Sequence, residues 1–377
     1  MASFRKRGDN WEYRIKYKDP FSQSKKEKMK GGFKTKKEAQ MAANEMERQL
    51  EEGMEQFPIL LKTFLYEWLY EYKKGSVRKN TYELHELNIR NHILPHFKNI
   101  LLSDIKPVMY QKFLNNIHEA GYSRRTVEII HSTMSNALSK AVTIGKIQKN
   151  PCIGVTIKGK PKEKGIKYLE SDQIPLFLQT AHQYGYNYWI FYRLLIETGM
   201  RKGEAAALQW TDIDLKEQTI SITKTIDFTA KSKQELFGDT KTFNSKRIIS
   251  ISQTLTQVLQ HHLRHQNQHK LALNDLYHHD LNLVLCRDDG SFMPKSTLFN
   301  AFSRILKRAE LPSLPIHSLR HTHAVLQLEA GADMKYVQKR LGHGSIAITS
   351  DVYAHISKKL EKKNIDKFEE YTKGIID

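Results

Sequence analysis

Three short stretches in the C-terminal half of the chain carry residue types that can act on an anion. In the first, Thr198-Gly-Met-Arg-Lys-Gly-Glu204, Arg201 stands at what reads as a helix start after a glycine turn, with Glu204 three residues on along the same face. A guanidinium and a helix start both favour an anion, and the carboxylate can orient a charged neighbour. In the second, His317-Ser-Leu-Arg-His321, His317 and Arg320 lie three apart on one helical face while Leu319 anchors the helix. The third runs from Arg340 through a Gly342-His343-Gly344 turn and a short helical run to Tyr353. A phenol titrates near 10 and is a weak nucleophile, so a reactive tyrosine needs cations and hydrogen-bond donors around its target. Each stretch also has a plain reading: a surface ion pair, a core histidine, a packing tyrosine. His317, His321 and His323 lie close in sequence, but no cysteine or carboxylate joins them at ligand spacing, so no metal is expected.

Composition narrows the target. The 377 residues hold 60 Lys and Arg against 41 Asp and Glu, a net charge of +19 that favours a polyanionic partner such as nucleic acid. The length predicts two or three domains. Cys152 and Cys286 are the only cysteines, which fits a reducing cytoplasm rather than a disulfide scaffold. Neither an 18-residue apolar run nor an apolar stretch behind the N-terminal charges is present, so a membrane or secretory role is not expected. No GxxxxGK[ST] motif occurs and no cofactor is expected.

The elements that must position these residues follow from periodicity. Trp11, Tyr13, Ile15 and Tyr17 alternate with Glu12, Arg14, Lys16 and Lys18, a period of two that predicts a strand with an aromatic and a mainly basic face. Asp19-Pro20 reads as a turn, Lys25 to Lys30 as a second strand, Gly31-Gly32 as a break, and Thr35 as the cap of a helix to Glu52. Leu61, Phe64, Leu65, Trp68, Leu69 and Tyr72 then recur every three or four residues, the stripe of a buried helix. Gly75-Ser76 ends it, Thr81 caps the next helix through Ile93, Pro95 breaks that one, and helices follow over 106–120 and 124–144. Lys73-Lys74, Arg78-Lys79 and Arg124-Arg125 put cations at helix ends, where they suit phosphate contacts. The Lys-, Gly- and Pro-rich run over 158–165 predicts a connector. Beyond it come helices, a β-rich patch over 213–251, and helices again.

Arg201 within TGMRKGE, His317 and Arg320 within HSLRH, and LGHGSIAITSDVY with His343 ten residues before Tyr353 together resemble the signature of the tyrosine recombinases, the integrases of phages and conjugative elements. Thr240-Lys-Thr-Phe-Asn-Ser-Lys-Arg-Ile-Ile249 is similar to that family's β-hairpin segment and makes Lys241 the counterpart of its lysine, with Lys231, Lys233 and Lys246 close by as alternatives. The resemblance is firmest over residues 165–355. It implies a mixed, mainly α fold with a small N-terminal α+β sheet-plus-helix domain of the arm-binding type at 1–56 and a helical core-binding domain at 57–155. A linker at 156–164 would lead to an α+β catalytic domain at 165–377.

The implied reaction is DNA transesterification. Tyr353 attacks a scissile phosphate to form a 3′-phosphotyrosine and release a 5′-hydroxyl; Arg201, Arg320 and His343 bind the phosphate, Lys241 protonates the leaving oxygen, His317 assists proton transfer and Glu204 supports the site. Arg14, Lys16, Lys18, Arg78, Lys79, Arg124 and Arg125 are expected on DNA. Implied partners are double-stranded attachment sites, a homotetramer on paired sites formed from free monomers, and DNA-bending and directionality factors, all on the bacterial nucleoid. Other readings are a recombinase that resolves chromosome dimers, a type IB topoisomerase, and a non-catalytic DNA-binding protein. In the tail, Ile356, Leu360, Phe368, Tyr371 and Ile375-Ile376 are too sparse to fold alone and are expected to dock on a neighbouring protomer.

Overall fold

A computed structural model describes residues 2–18, 24–51, 59–160, 166–230, 233–239, 246–342, 365–366, 368–373 and 375. The chain divides into two compact units, Met1–Glu163 and Lys164–Asp377. The expected Asp19-Pro20 turn, the Lys231 and Lys241 positions, and the whole stretch from His343 through Tyr353 to Leu360 lie outside the described residues.

The first unit opens with an antiparallel sheet in the order β1 (Ser3–Arg7), β2 (Asn10–Lys18), β3 (Lys25–Phe33). Alternation along β2 works as read: Tyr13 and Ile15 are buried against Ala43 of helix α1 (Lys36–Glu51), and Arg14, Lys16 and Lys18 are exposed. The Thr35 hydroxyl accepts from the Glu38 amide at 3.2 Å, as a capping residue should. Two expectations are corrected here. A third strand, β1, exists because Phe4, opposite Tyr13, adds to the apolar face. Gly31-Gly32 does not break the chain: both glycines sit opposite Glu12 between the pairs Trp11–Phe33 and Tyr13–Lys30, which is a bulge. Gly32 takes φ +91°, which a side chain would resist, and so the strand bends rather than ends.

A helical core follows, formed by α2 (Leu61–Glu67), α3 (Lys79–Asn88), α4 (Leu94–Phe97), α5 (Pro107–Glu119) and α6 (Arg124–Thr143). Phe64, Leu65, Trp68 and Leu69 of the predicted stripe are fully buried. The helix containing them widens to a π turn over Trp68–Lys73, closed by the Lys74 amide on the Leu69 carbonyl at 3.0 Å. Thr81 is not the cap expected of it. Helix α3 starts at Lys79, and the Arg78 carbonyl accepts from the Thr81 and Tyr82 amides at 2.9 and 3.0 Å. Pro95 does not break the helix either. A second π turn, Ile89–Ile93, precedes it, and the wider turn relieves the clash of a proline ring with the preceding carbonyls.

The second unit packs helices around two small antiparallel sheets. Helices α7 (Gln173–Tyr184), α8 (Tyr186–Thr198) and α9 (Lys202–Ala206) come first. Next are strands β4 (Ile213–Asp214), β5 (Thr219–Ile222) and β6 (Lys224–Ile226), the short helix α10 (Lys233–Leu236), and strands β7 (Phe237–Asp239) and β8 (Arg247–Ser250). β5 pairs with both β4 and β8, whereas β6 pairs with β7. Helices α11 (Gln253–Leu273), α12 (Lys295–Arg308), α13 (Ser318–Glu329) and α14 (Met334–Leu341) complete the described body. In its core the Phe177, Tyr192 and Phe302 rings lie 5.3 to 5.8 Å apart, and the Tyr192 hydroxyl donates to the Leu298 carbonyl at 2.7 Å. Among the described residues no helix is long and apolar enough to cross a membrane.

Truncating the centre of that aromatic cluster tests the packing. Phe302→Ala should cost about 3 to 5 kcal/mol, the usual range for removing a buried ring, read as a lower denaturation midpoint with unchanged slope.

Candidate active site

Arg201 and Arg320 reach the site from different elements, and local sequence explains each. Arg201 is the residue before α9, extended at φ −68° and ψ 147°, following Gly199 in the left-handed region at φ +66°. Glycine is required there: a Cβ on Gly199 would lie 2.5 Å from Leu341 Cδ2 and 2.6 Å from His323 Cδ2. Glu204, in the first turn of α9, accepts from the Arg201 amide at 2.9 Å and from Arg201 Nη1 at 2.6 Å. Because α9 spans only five residues, its dipole adds little, and the attraction for an anion rests on the guanidinium. Arg320 lies on the buried face of α13 at 2% exposure.

Both arginines converge on the end of α14, and a third, Arg247 of β8, joins them. Arg247 Nε donates to the Arg340 carbonyl at 2.6 Å, Arg320 Nη2 to the Leu341 carbonyl at 2.6 Å, and Arg201 Nη2 to the Gly342 carbonyl at 3.1 Å. Three successive carbonyls at a helix terminus, which lack partners inside the helix, are thus each held by a different guanidinium. Arg320 Nη1 also donates to the Gly199 carbonyl at 2.8 Å, which fixes the turn before Arg201. Arg247 Nη2 closes the group on Glu204 at 3.0 Å.

Charge states follow from these neighbours. Burial pushes the Glu204 pKa up, but Arg247 and then Arg201 outweigh it, leaving it below the ordinary carboxylate value and ionised. Burial, then the nearby Arg201, lowers Arg320 to about 9, still high enough to keep it charged at neutral pH. His317, just before α13, is lowered to about 4, first by burial of part of its ring and then by His321, Arg320, Lys202 and Arg201. Its outer surface stays exposed, so a neutral imidazole faces solvent. The His321 ring meets it edge-on, with centroids 5.0 Å apart. His323 is buried beneath: its Nδ1 must donate to the Ile196 carbonyl at 2.8 Å, which leaves Nε2 to accept from Arg340 Nε at 3.0 Å. Among the described residues, no group of three or more His, Cys, Asp or Glu is placed to hold a metal.

The structure therefore brings Arg201, Glu204, Arg320 and His317 into one neighbourhood. Lys241, His343 and Tyr353 are outside the described residues, although Gly342, the residue before His343, is part of the arginine-held terminus. The cations expected on DNA are divided in their use. Arg14 pairs with Glu27 at 3.0 Å on the exposed face of β2 beside Lys16 and Lys18. Arg78 and Lys79 are exposed at the start of α3. Arg125 is open to solvent, but Arg124 is tied internally to Glu128 and to the Ile157 and Gly159 carbonyls.

Against known families, residues 167–359 match the phage integrase family, 60–118 the phage integrase N-terminal SAM-like domain, and 3–50 an arm DNA-binding domain. The chain belongs to the phage integrase family. It is 29% identical over 349 residues to a tyrosine recombinase XerC-like protein of Caldanaerobacter subterraneus subsp. tengcongensis, covering 88% of this chain and 89% of that one. To the ICEBs1 integrase of Bacillus subtilis it is 28% identical, with 78% of each covered. Its fold is similar to that of the Tn1549 transposon integrase solved with transposon right end DNA, at TM-score 0.66 and 18% identity over 82% of this chain and 99% of that one. It is also similar to a lambda integrase dimer bound to a COC′ core site, at TM-score 0.58 and 19% identity over 93% of each.

For a tyrosine recombinase of this family, sequence reading overlooked Arg247 and Arg340. Arg340 Nη1 donates to the Ser250 carbonyl at 2.9 Å while its Nε holds His323. The available signal was slight: Arg247 adjoins Lys246 in a basic run, and only the fold shows that it turns inward.

Two buried histidines give this unit a pH signature. Burial lowers His323 to about 3 and His262 to about 4, so both stay neutral in the folded chain, while the unfolded chain takes up protons near the ordinary value of about 6.5. The folded pKa values being depressed, their stabilisation is complete above about pH 6.5 and is lost as pH falls towards 4, on the order of 1 kcal/mol per pH unit for each. Denaturation midpoints measured from pH 7 to pH 4.5 should fall, and His262→Gln should flatten the slope; an equal slope would contradict the assignment.

Proposed function

We propose that this site-specific tyrosine recombinase is an integrase that inserts and excises a mobile element by exchanging strands between double-stranded attachment sites. The observation that carries the reading is the convergence of Arg201 and Arg320 on the carbonyls of Leu341 and Gly342, immediately before His343, which itself stands ten residues before Tyr353. The two positive charges and planar forks so gathered are well shaped to receive the non-bridging oxygens of a scissile phosphate.

In this reading Tyr353 attacks phosphorus as its proton leaves towards His317, whose neutral imidazole is the form able to accept it. The P–O bond to the 5′-oxygen breaks, and Lys241 protonates that oxygen. A 3′-phosphotyrosine remains, and a partner strand's 5′-hydroxyl attacks it to rejoin the DNA. His343 adds a hydrogen bond to the phosphate, and Glu204 holds Arg201. Charge neutralisation and positioning supply most of the rate in phosphoryl transfer.

Residues 1–56 would act as an arm-type domain through the basic face of β2, residues 57–155 as a core-binding domain, 156–164 as a linker and 165–377 as the catalytic domain with its tail. Free monomers would assemble as a tetramer on paired sites in the cytoplasm, with bending and directionality factors selecting the direction. The match of residues 3–50 to an arm DNA-binding domain supports integration over chromosome-dimer resolution. Tail residues Ile365, Phe368, Tyr371 and Ile375 are all exposed, which supports docking in assembly.

Incubation with a nicked half-site should give a covalent protein–DNA adduct, and Tyr353→Phe should abolish it; an adduct that persists with phenylalanine removes Tyr353 as nucleophile. Truncation after Lys359 should leave single-site binding intact and block recombination of paired sites; unchanged recombination refutes tail docking.

A further inference from the structure

Glu204 is shared by two arginines. Its side chain is 2% exposed, and its oxygens accept from Arg201 Nη1 at 2.6 Å and from Arg247 Nη2 at 3.0 Å, with the Arg201 amide on the second oxygen at 2.9 Å. A carboxylate 2.6 Å from a guanidinium cancels much of its field, which is a poor arrangement for an arginine that must attract a phosphate. Arg247 changes the balance. At 7% side-chain exposure, it brings a second positive charge to the same carboxylate, so the three groups carry a net single positive charge rather than none. With Arg320 added, the cluster holds two net positive charges to meet one phosphodiester. Arg247 also grips the carbonyl of Arg340, the first of the three held at the end of α14.

We propose that Arg247 is a positioning residue for strand cleavage, compensating Glu204 so that Arg201 keeps its charge for the scissile phosphate while fixing the end of α14. It touches no substrate atom and works through Glu204 and through the chain leading to His343. The inference rests on Arg201 being a phosphate ligand, as in the functional reading above.

The test compares two half-site DNAs, one with an ordinary scissile phosphodiester and one with a neutral methylphosphonate there, which needs less positive charge. Arg247→Met should bind the ordinary site like the parent protein but cleave it about 10- to 100-fold more slowly, less than the roughly 100- to 1000-fold for removing a donor that touches the developing charge itself. On the methylphosphonate the deficit should shrink to about threefold or less, and Arg247→Lys should fall between parent and Met on the ordinary site. Adding Glu204→Gln to Arg247→Met should raise cleavage above that of Arg247→Met alone, since no carboxylate is left to compensate. Equal slowing on both DNAs, or no recovery in the double variant, overturns the proposal. Should Arg247→Met fail to fold by circular dichroism, Arg247→Lys and the double variant decide it by the same ratios. A parent protein that cleaves neither DNA would count against the recombinase reading instead.

Discussion

The terminus of one eight-residue helix governs the second unit. A helix end carries partial negative charge and carbonyls without partners, and α14 meets this with three guanidinium groups drawn from β8, from α13 and from the turn between α8 and α9. The helix itself is fastened by Val337 and Leu341 against Ala324, Val325 and Leu328 of α13. An apolar contact and an array of charge-assisted bonds therefore act on the same few residues. Gly199 belongs to this constraint, because only a residue without a side chain lets the turn approach Leu341 and His323 so closely.

Around that terminus the polar groups are arranged in tiers. Arg201 is partly open, Glu204 and Arg247 lie beneath it, and His323 with Arg340 forms a further layer that reaches the carbonyls of Ile196 and Ser250. Buried charge is expensive unless paired and hydrogen-bonded, and these guanidinium groups meet the Glu204 carboxylate, main-chain carbonyls and a ring nitrogen able to accept. The surplus of positive charge is what distinguishes the cluster from a neutral structural network.

Much of this was legible in the sequence where the signal is local. The stripe from Leu61 to Leu69 and the alternation from Trp11 to Lys18 report their own surroundings, and both are found as read. The Arg201–Glu204 spacing likewise becomes a real pair because three residues along a helix start leave few other geometries. Legibility failed where the deciding partner is distant. Arg247 meets Glu204 across 43 positions and Arg340 across 93, separations that leave no periodic trace. Gly31-Gly32 misled for a related reason: a glycine pair signals a departure from ideal strand geometry, and only the opposing Glu12 shows that departure to be a bulge. Pro95 is tolerated because of a π turn that propensities do not encode.

Gripping α14 has a consequence for how rigid the guanidinium groups are before any DNA arrives. A free arginine side chain samples many rotamers, and ordering one costs on the order of 2 kcal/mol of conformational entropy. Arg320, bonded to two carbonyls at 2.8 and 2.6 Å, and Arg201, bonded to Glu204 and Gly342, have already lost that freedom in the folded chain. Both groups are therefore ordered before any anion meets them, and the ordering is built in during folding.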